Sequence, residues 1–207
     1  MRFKNSEFQI YFFIWIVVLL IGVRDIILNF VNAGLGYFLT LDFYTSVLLL
    51  ACMIALFIGL IKGNTRVVVL AFGGIVTIEA VQFFPLFLTT AQLTANFGLG
   101  GYETIGLLYI ILNGFVLPLS MVVYALTYIV CMVYYFFNKR FRHTLIPIVS
   151  GLGVVVLLAA LGSTTIDLFF RETKPDLLDI FFDMASAVFF HIIYITLPRL
   201  MHEHNLY

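Results

Sequence analysis

Six apolar stretches, at residues 8–23, 43–61, 67–90, 104–137, 145–164 and 177–197, constrain this chain more than any motif in it. A helix of roughly 20 apolar residues crosses the ~30 Å hydrocarbon layer of a bilayer, and each stretch reaches that length, the first only just. Lipid offers the backbone no hydrogen bonds, so a spanning segment is either a helix or part of a closed barrel. The alternating ten-residue pattern of a membrane barrel is absent. The sequence therefore predicts an all-α, polytopic membrane protein, a bundle of six transmembrane helices forming a single transmembrane domain over residues 1–207. Composition agrees: 63% of the 207 residues are apolar and 11% are charged, where a soluble domain carries about 25% charged residues. With a formal net charge of zero, this excludes a soluble enzyme, a basic nucleic-acid module and a disordered chain. No nucleic-acid partner is implied.

Charge sets the expected orientation. With the N-terminus inside, the inner segments hold eight cations: Arg2, Lys4, Lys62, Arg66, Lys139, Arg140, Arg142 and Arg199. The outer segments hold three, Arg24, Arg171 and Lys174. That asymmetry predicts cytoplasmic N- and C-termini in the cell membrane, with residues 62–66 and 139–143 inside and residues 91–103 outside. Dividing the fourth stretch into two spans would put the two basic loops on opposite sides, so it is read as one long helix bent at Pro118. A cleaved signal peptide is not expected, because Arg24 and Asp25 interrupt the approach to Val31-Asn32-Ala33.

Small residues offer places for close helix contact. Ala51, Ala55, Gly59 and Gly63 recur every four residues on the second span, and their stripe is either an internal packing seam or a surface for a helix of a partner chain. Gly151, Gly153, Ala159 and Ser163 on the fifth span, and Gly73-Gly74 on the third, are similar material. Cys52 and Cys131 lie at different depths and read as small packing residues. On the fourth span Tyr109, Asn113, Ser120, Tyr124, Thr127 and Cys131 fall within about 60° when wound as a helix. Polar groups facing lipid would lack partners, so this stripe should face protein, lining a watery cavity or bonding to neighbouring helices.

The candidate ligand- or ion-binding residues are Glu79, Gln82, Asn113, Asp179, Asp183 and Arg24. Glu79 falls near the bilayer centre, with Gln82 almost on the same face and Pro85 beyond. A carboxylate there must be protonated, paired or hydrated. Arg24, ending the first span beside Asp25, is either an interfacial cation with its head in water or a partner for Glu79 or for the acidic start of span six. That start carries Asp176, Asp179 and Asp183. Acidic residues complement a helix N-terminus, but Asp183 should lie about 9 Å into the span, deeper than a cap requires. Asp42, Glu103, Asp167 and Glu172 read as a solvated outer rim. His191 reads as an interior hydrogen-bonded imidazole, His143 as a phosphate contact, and His202 and His204 as a weak cluster in the tail.

The zinc motif His-Glu-x-x-His, the Gly-x-Ser-x-Gly elbow and the phosphate-cradling glycine loop are all absent from the sequence, and no cofactor or metal is implied. The leading expectation is a transport or ligand-binding protein with an outward-facing polar cavity lined by Glu79, Gln82, Asn113 and Asp183. The alternatives are a membrane-embedded enzyme on a lipid-linked substrate, with Glu79 and Asp183 as acid and base, and a non-catalytic subunit or sensor of a larger complex.

Overall fold

The computed structural model describes residues 5–98, 104–137, 142–170 and 177–203, and all but a few of these are helical. The helices are α1 (Asn5–Ala33), α2 (Leu41–Lys62), α3 (Thr65–Phe97), α4 (Thr104–Tyr109), α5 (Leu117–Phe137), α6 (Arg142–Phe170) and α7 (Leu177–Glu203). A 3-10 turn at Gly34–Leu39 joins α1 to α2, and a π-helical segment at Ile110–Val116 joins α4 to α5. Among the described residues six segments are long and apolar enough to cross a membrane: Phe12–Leu39, Leu41–Lys62, Arg66–Asn96, Gly106–Tyr134, Pro147–Leu168 and Ile180–Pro198. The protein is an all-helical, multi-pass membrane protein.

Three boundaries differ from the sequence reading. Helix α1 continues past Arg24 and Asp25 to Ala33, because residues 26–31 are still largely apolar and no helix breaker intervenes before Gly34, whose φ is 61°. Arg24 is therefore half-buried within a helix and does not end one. Helix α3 runs through Pro85 and past Thr90 to Phe97. Ala91, Leu93 and Ala95 favour helix, and the chain leaves it only at Gly98, whose N–H returns to the Thr94 carbonyl at 2.9 Å. Residues 91–97 are thus helix, not loop. Helix α6 likewise reaches Phe170, so Asp167 is a half-buried helical residue.

The chain divides into two units, Met1–Ile78 and Glu79–Tyr207, the division falling within α3. In the first unit the turn between α2 and α3 is built by Gly63 and Asn64. Gly63 sits in the left-handed region at φ 64°, which a side chain would disfavour. There its N–H reaches the Leu60 carbonyl at 3.2 Å and that of Asn64 reaches Gly59 at 2.8 Å, closing the end of α2 in a Schellman motif. Asn64 then caps α3 by accepting from the Val67 N–H at 3.4 Å. At its other end α2 is capped by Thr40, which accepts from the Phe43 N–H at 3.3 Å.

The small-residue stripe of α2 divides accordingly. Gly59 is buried against Val67 and Val68, so it is an internal contact, while Gly63 is a turn residue and Ala51 is exposed. The Cys52 sulfur packs over Gly74, the role expected of it. Met53, Leu56, Val69, Phe72, Ile75 and Val76 fill the core of this unit. Tyr37, Phe38, Phe43 and Tyr44 join edge to face around the 3-10 turn.

In the second unit α6 and α7 run antiparallel: Gly153 meets the Tyr194 backbone, while Thr165 meets the Met184 sulfur at 4.0 Å. Gly153 is what permits the approach, because an added Cβ would lie 2.6 Å from the Tyr194 carbonyl oxygen. Gly151, one of the residues grouped with it from sequence, has nothing within 4 Å and takes no part. Pro118 distorts the long fourth helix as expected, but the distortion is a π segment just ahead of it. Proline lacks an N–H and its ring crowds the carbonyl four residues back, here Gly114. The ladder relaxes to a wider turn, with the Leu117 N–H donating to the Leu112 carbonyl. Leu119, Val123, Leu126 and Val130 are exposed on one side of α5, a face suited to lipid.

Candidate functional site

Glu79 opens the second unit, near the middle of the Arg66–Asn96 span, and is only 7% exposed. The Tyr194 hydroxyl on α7 lies close enough for the two to interact electrostatically. Tyr194 is itself fully buried and belongs to an aromatic cluster. Its ring meets that of Tyr124 edge-on with centroids 4.8 Å apart, and stacks on His191 at 5.8 Å. The Tyr124 hydroxyl donates to the Tyr194 carbonyl at 2.7 Å, and Tyr128 stacks on Tyr124 one turn along α5. The same carbonyl is the one that Gly153 approaches, so α5 and α6 both fix the backbone of α7 at this point.

His191 adds a defined tautomer. Its Nδ1 lies 2.9 Å from the Ala187 carbonyl. A carbonyl can only accept, so Nδ1 carries the hydrogen, and in the neutral ring Nε2 is left as an acceptor. Nε2 is buried and makes no hydrogen bond among the described residues. The reading of His191 as an interior hydrogen-bonded group holds for one nitrogen only. Carboxyl, phenol and imidazole together can accept, donate and hand on a proton, or coordinate a small cation.

The polar stripe of the fourth span faces protein, as expected. None of Tyr109, Asn113, Ser120, Tyr124, Thr127 and Cys131 is exposed, and Tyr124 is entirely buried. Ser120 and Thr127 give their hydroxyls to carbonyls of their own helix, at 2.8 Å each. Asn113 lies in the π segment and donates to the Tyr109 hydroxyl at 2.8 Å. It also lines a cavity of about 210 Å³, together with Leu86, Thr90, Leu93, Thr94, Gly98, Tyr109, Ile110 and Gly114. Gly114 closes one wall, because a methyl group there would overlap the Thr90 side chain.

The sequence grouped Glu79, Gln82, Asn113 and Asp183 around one cavity. Of these, Asn113 alone lines the cavity just described. Gln82 is half-buried on α3 one turn after Glu79, and Asp183 is half-buried in the second turn of α7. Asp179 is a helical residue of α7 whose side chain lies outside the described ones, and Asp176 lies outside the described residues, as do Glu103, Glu172, His204 and all but the last two residues of the 139–143 loop. Arg24 belongs to the first unit. Among the described residues no three His, Cys, Asp or Glu side chains come together to hold a metal.

Sequence reasoning named Tyr124 and His191 separately but missed Tyr194 and Tyr128, and with them the cluster that joins the four. The available signal was spacing: His191 and Tyr194 are three apart, Tyr124 and Tyr128 four apart, so each pair shares a helix face. No family model, curated protein or solved structure matches the chain.

Replacing Asn113 by Leu tests the stripe. It removes the bond to Tyr109 and should lower stability by about 1 kcal/mol. Leu126→Ile on the exposed face should change it by less than about 0.5 kcal/mol. Denaturation of both variants in one detergent measures the difference, and equal effects would mean that Asn113 makes no contribution from its inward face.

Proposed function

We propose that the protein is a membrane transport or ligand-binding protein in which Glu79 is the working carboxyl group. One observation carries this reading: a buried acid in the middle of a span lies within electrostatic range of a buried tyrosine whose cluster also holds an imidazole. An ionisable group at that depth is costly, by about 2.5–3.5 kcal/mol on insertion scales, and such groups mark ligand, ion and proton sites. The Tyr194 hydroxyl is a buried donor within electrostatic range of the carboxyl, and the His191 ring stacked on Tyr194 keeps an acceptor nitrogen. Such a group would exchange a proton or hold the cationic part of a ligand. Native mass spectrometry of the protein in bilayer discs, prepared without delipidation, tests this. A retained small molecule at one per chain supports it, and a chain that carries only bulk lipid in every preparation overturns it.

The proposed orientation has both termini cytoplasmic, on the strength of the eight-to-three cation asymmetry. Under it the C-terminal end of α3, and with it the cavity beside Asn113, is at the outer side. With Cys52 and Cys131 replaced, Asn96→Cys should react with an impermeant maleimide on intact cells, whereas Lys62→Cys should react only after permeabilisation. The reverse pattern would invert the whole bundle.

A further inference from the structure

We infer that the cavity between the C-terminal end of α3 and the π segment binds an uncharged molecule joining a hydroxyl or amide group to a short apolar body. The lining has two chemistries and no formal charge. Leu86, Leu93 and Ile110 supply apolar surface, while Thr90, Thr94, Tyr109 and Asn113 supply hydroxyls and an amide. A cation or anion entering it would find no counter-charge among those residues, and a pure hydrocarbon would leave polar groups unmatched.

The threonines give this cavity hydroxyls on its wall. Elsewhere in the spans Thr77, Thr127, Thr165 and Thr196 give their hydroxyls back to the carbonyl four residues earlier, at 2.7 to 3.0 Å. Thr90 and Thr94, both half-buried, border the cavity. Asn113 commits one amide hydrogen to Tyr109, and its carbonyl is an acceptor of the kind that a ligand hydroxyl would use. The π segment contributes as well. A wider turn carries Asn113 and Gly114 out of the ordinary helical register, and such segments are frequent at functional sites. At about 210 Å³ the space is below the ~300–1,000 Å³ typical of pockets for drug-sized molecules, so the occupant is small, or is the glycerol head of an acylglycerol. The inference goes beyond the Glu79 reading: it concerns a separate cavity, whose lining does not include Glu79.

The probe is an octanol bearing a diazirine, photolysed on the full-length protein in bilayer discs, with adducts mapped by tandem mass spectrometry. Saturable adducts are expected on the lining residues, with Tyr109 foremost. Benzyl alcohol should compete, and toluene, benzylamine and benzoate, which share its ring, should compete at least about tenfold more weakly, the worth of one good hydrogen bond in a shielded place. Thr94→Phe fills the space and should abolish saturable labelling. Asn113→Leu should weaken competition by benzyl alcohol about tenfold. Monoolein added to the disc separates the two sources of this chemistry: competition from it means a membrane lipid, and competition from benzyl alcohol alone means a water-borne ligand. Labelling that does not saturate, or toluene competing as well as benzyl alcohol, overturns the inference even if Thr94→Phe fails to fold. Glu79→Gln should leave the labelling unchanged, so a failure of the Glu79 reading is told apart from a failure at this cavity.

Discussion

Glu79→Gln is expected to keep the fold and lose the ligand. Glutamine has the size and shape of the neutral acid, so the packing of α3 within the second unit is preserved and stability should change by less than about 1 kcal/mol. What is lost is the capacity to become charged, and with it any exchange of a proton or pairing with a cationic ligand. Retention of the small molecule seen by native mass spectrometry should fall at least tenfold, about 1.4 kcal/mol or more in binding free energy. Tyr194→Phe probes the same pair from the other side. It leaves the ring stacked on His191 and the carbonyl that Tyr124 bonds, and removes only the hydroxyl within electrostatic range of Glu79. If the two groups act together, the double variant should be no worse than the poorer single one, a non-additivity that a double-mutant cycle reads directly. Wild-type retention and stability in Glu79→Gln would reduce Glu79 to a tolerated interior polar group, and the proposed function would lose its support.

The second large effect is expected at Gly153. A methyl group there would lie 2.6 Å from the Tyr194 carbonyl oxygen and 2.8 Å from its carbon. Those are backbone atoms, and the carbonyl is already held by the Tyr124 hydroxyl, so neither side yields without separating α6 from α7. Gly153→Ala should destabilise the protein by about 1–3 kcal/mol through overpacking, despite alanine's better helix propensity. Gly151→Ala, two residues away with open space around it, should instead stabilise by about 0.5–1 kcal/mol. Thermal unfolding of the two variants in the same detergent makes the comparison, and the prediction is a difference in sign. If both variants are stabilised, α6 and α7 do not pack at the distance described here.

That pair of glycines marks where sequence reading stops. The 3.6-residue period and the ~30 Å of hydrocarbon are properties of the backbone and the solvent, so the all-helical class, the number of spans and the inward face of the fourth span's polar stripe were legible from residue order alone. The depth of Glu79 was legible for the same reason, since it depends only on counting along one helix. Boundaries were less so: α1 outran Arg24 and α3 outran Thr90, because a helix ends where a breaker such as Gly34 or Gly98 stands, not where hydropathy falls. Partners were not legible at all. Gly151 and Gly153 are the same residue in nearly the same context, and only the position of Tyr194 on another helix makes one indispensable and the other spare. Tyr194 comes within electrostatic range of Glu79, and Asn113 reaches a cavity with Thr90 and Thr94, through the packing of helices far apart in sequence. A helix face tells which residues point inward; which residue they meet there is set by how the side chains of several helices fill the space between them, and a single sequence does not encode that in any local pattern.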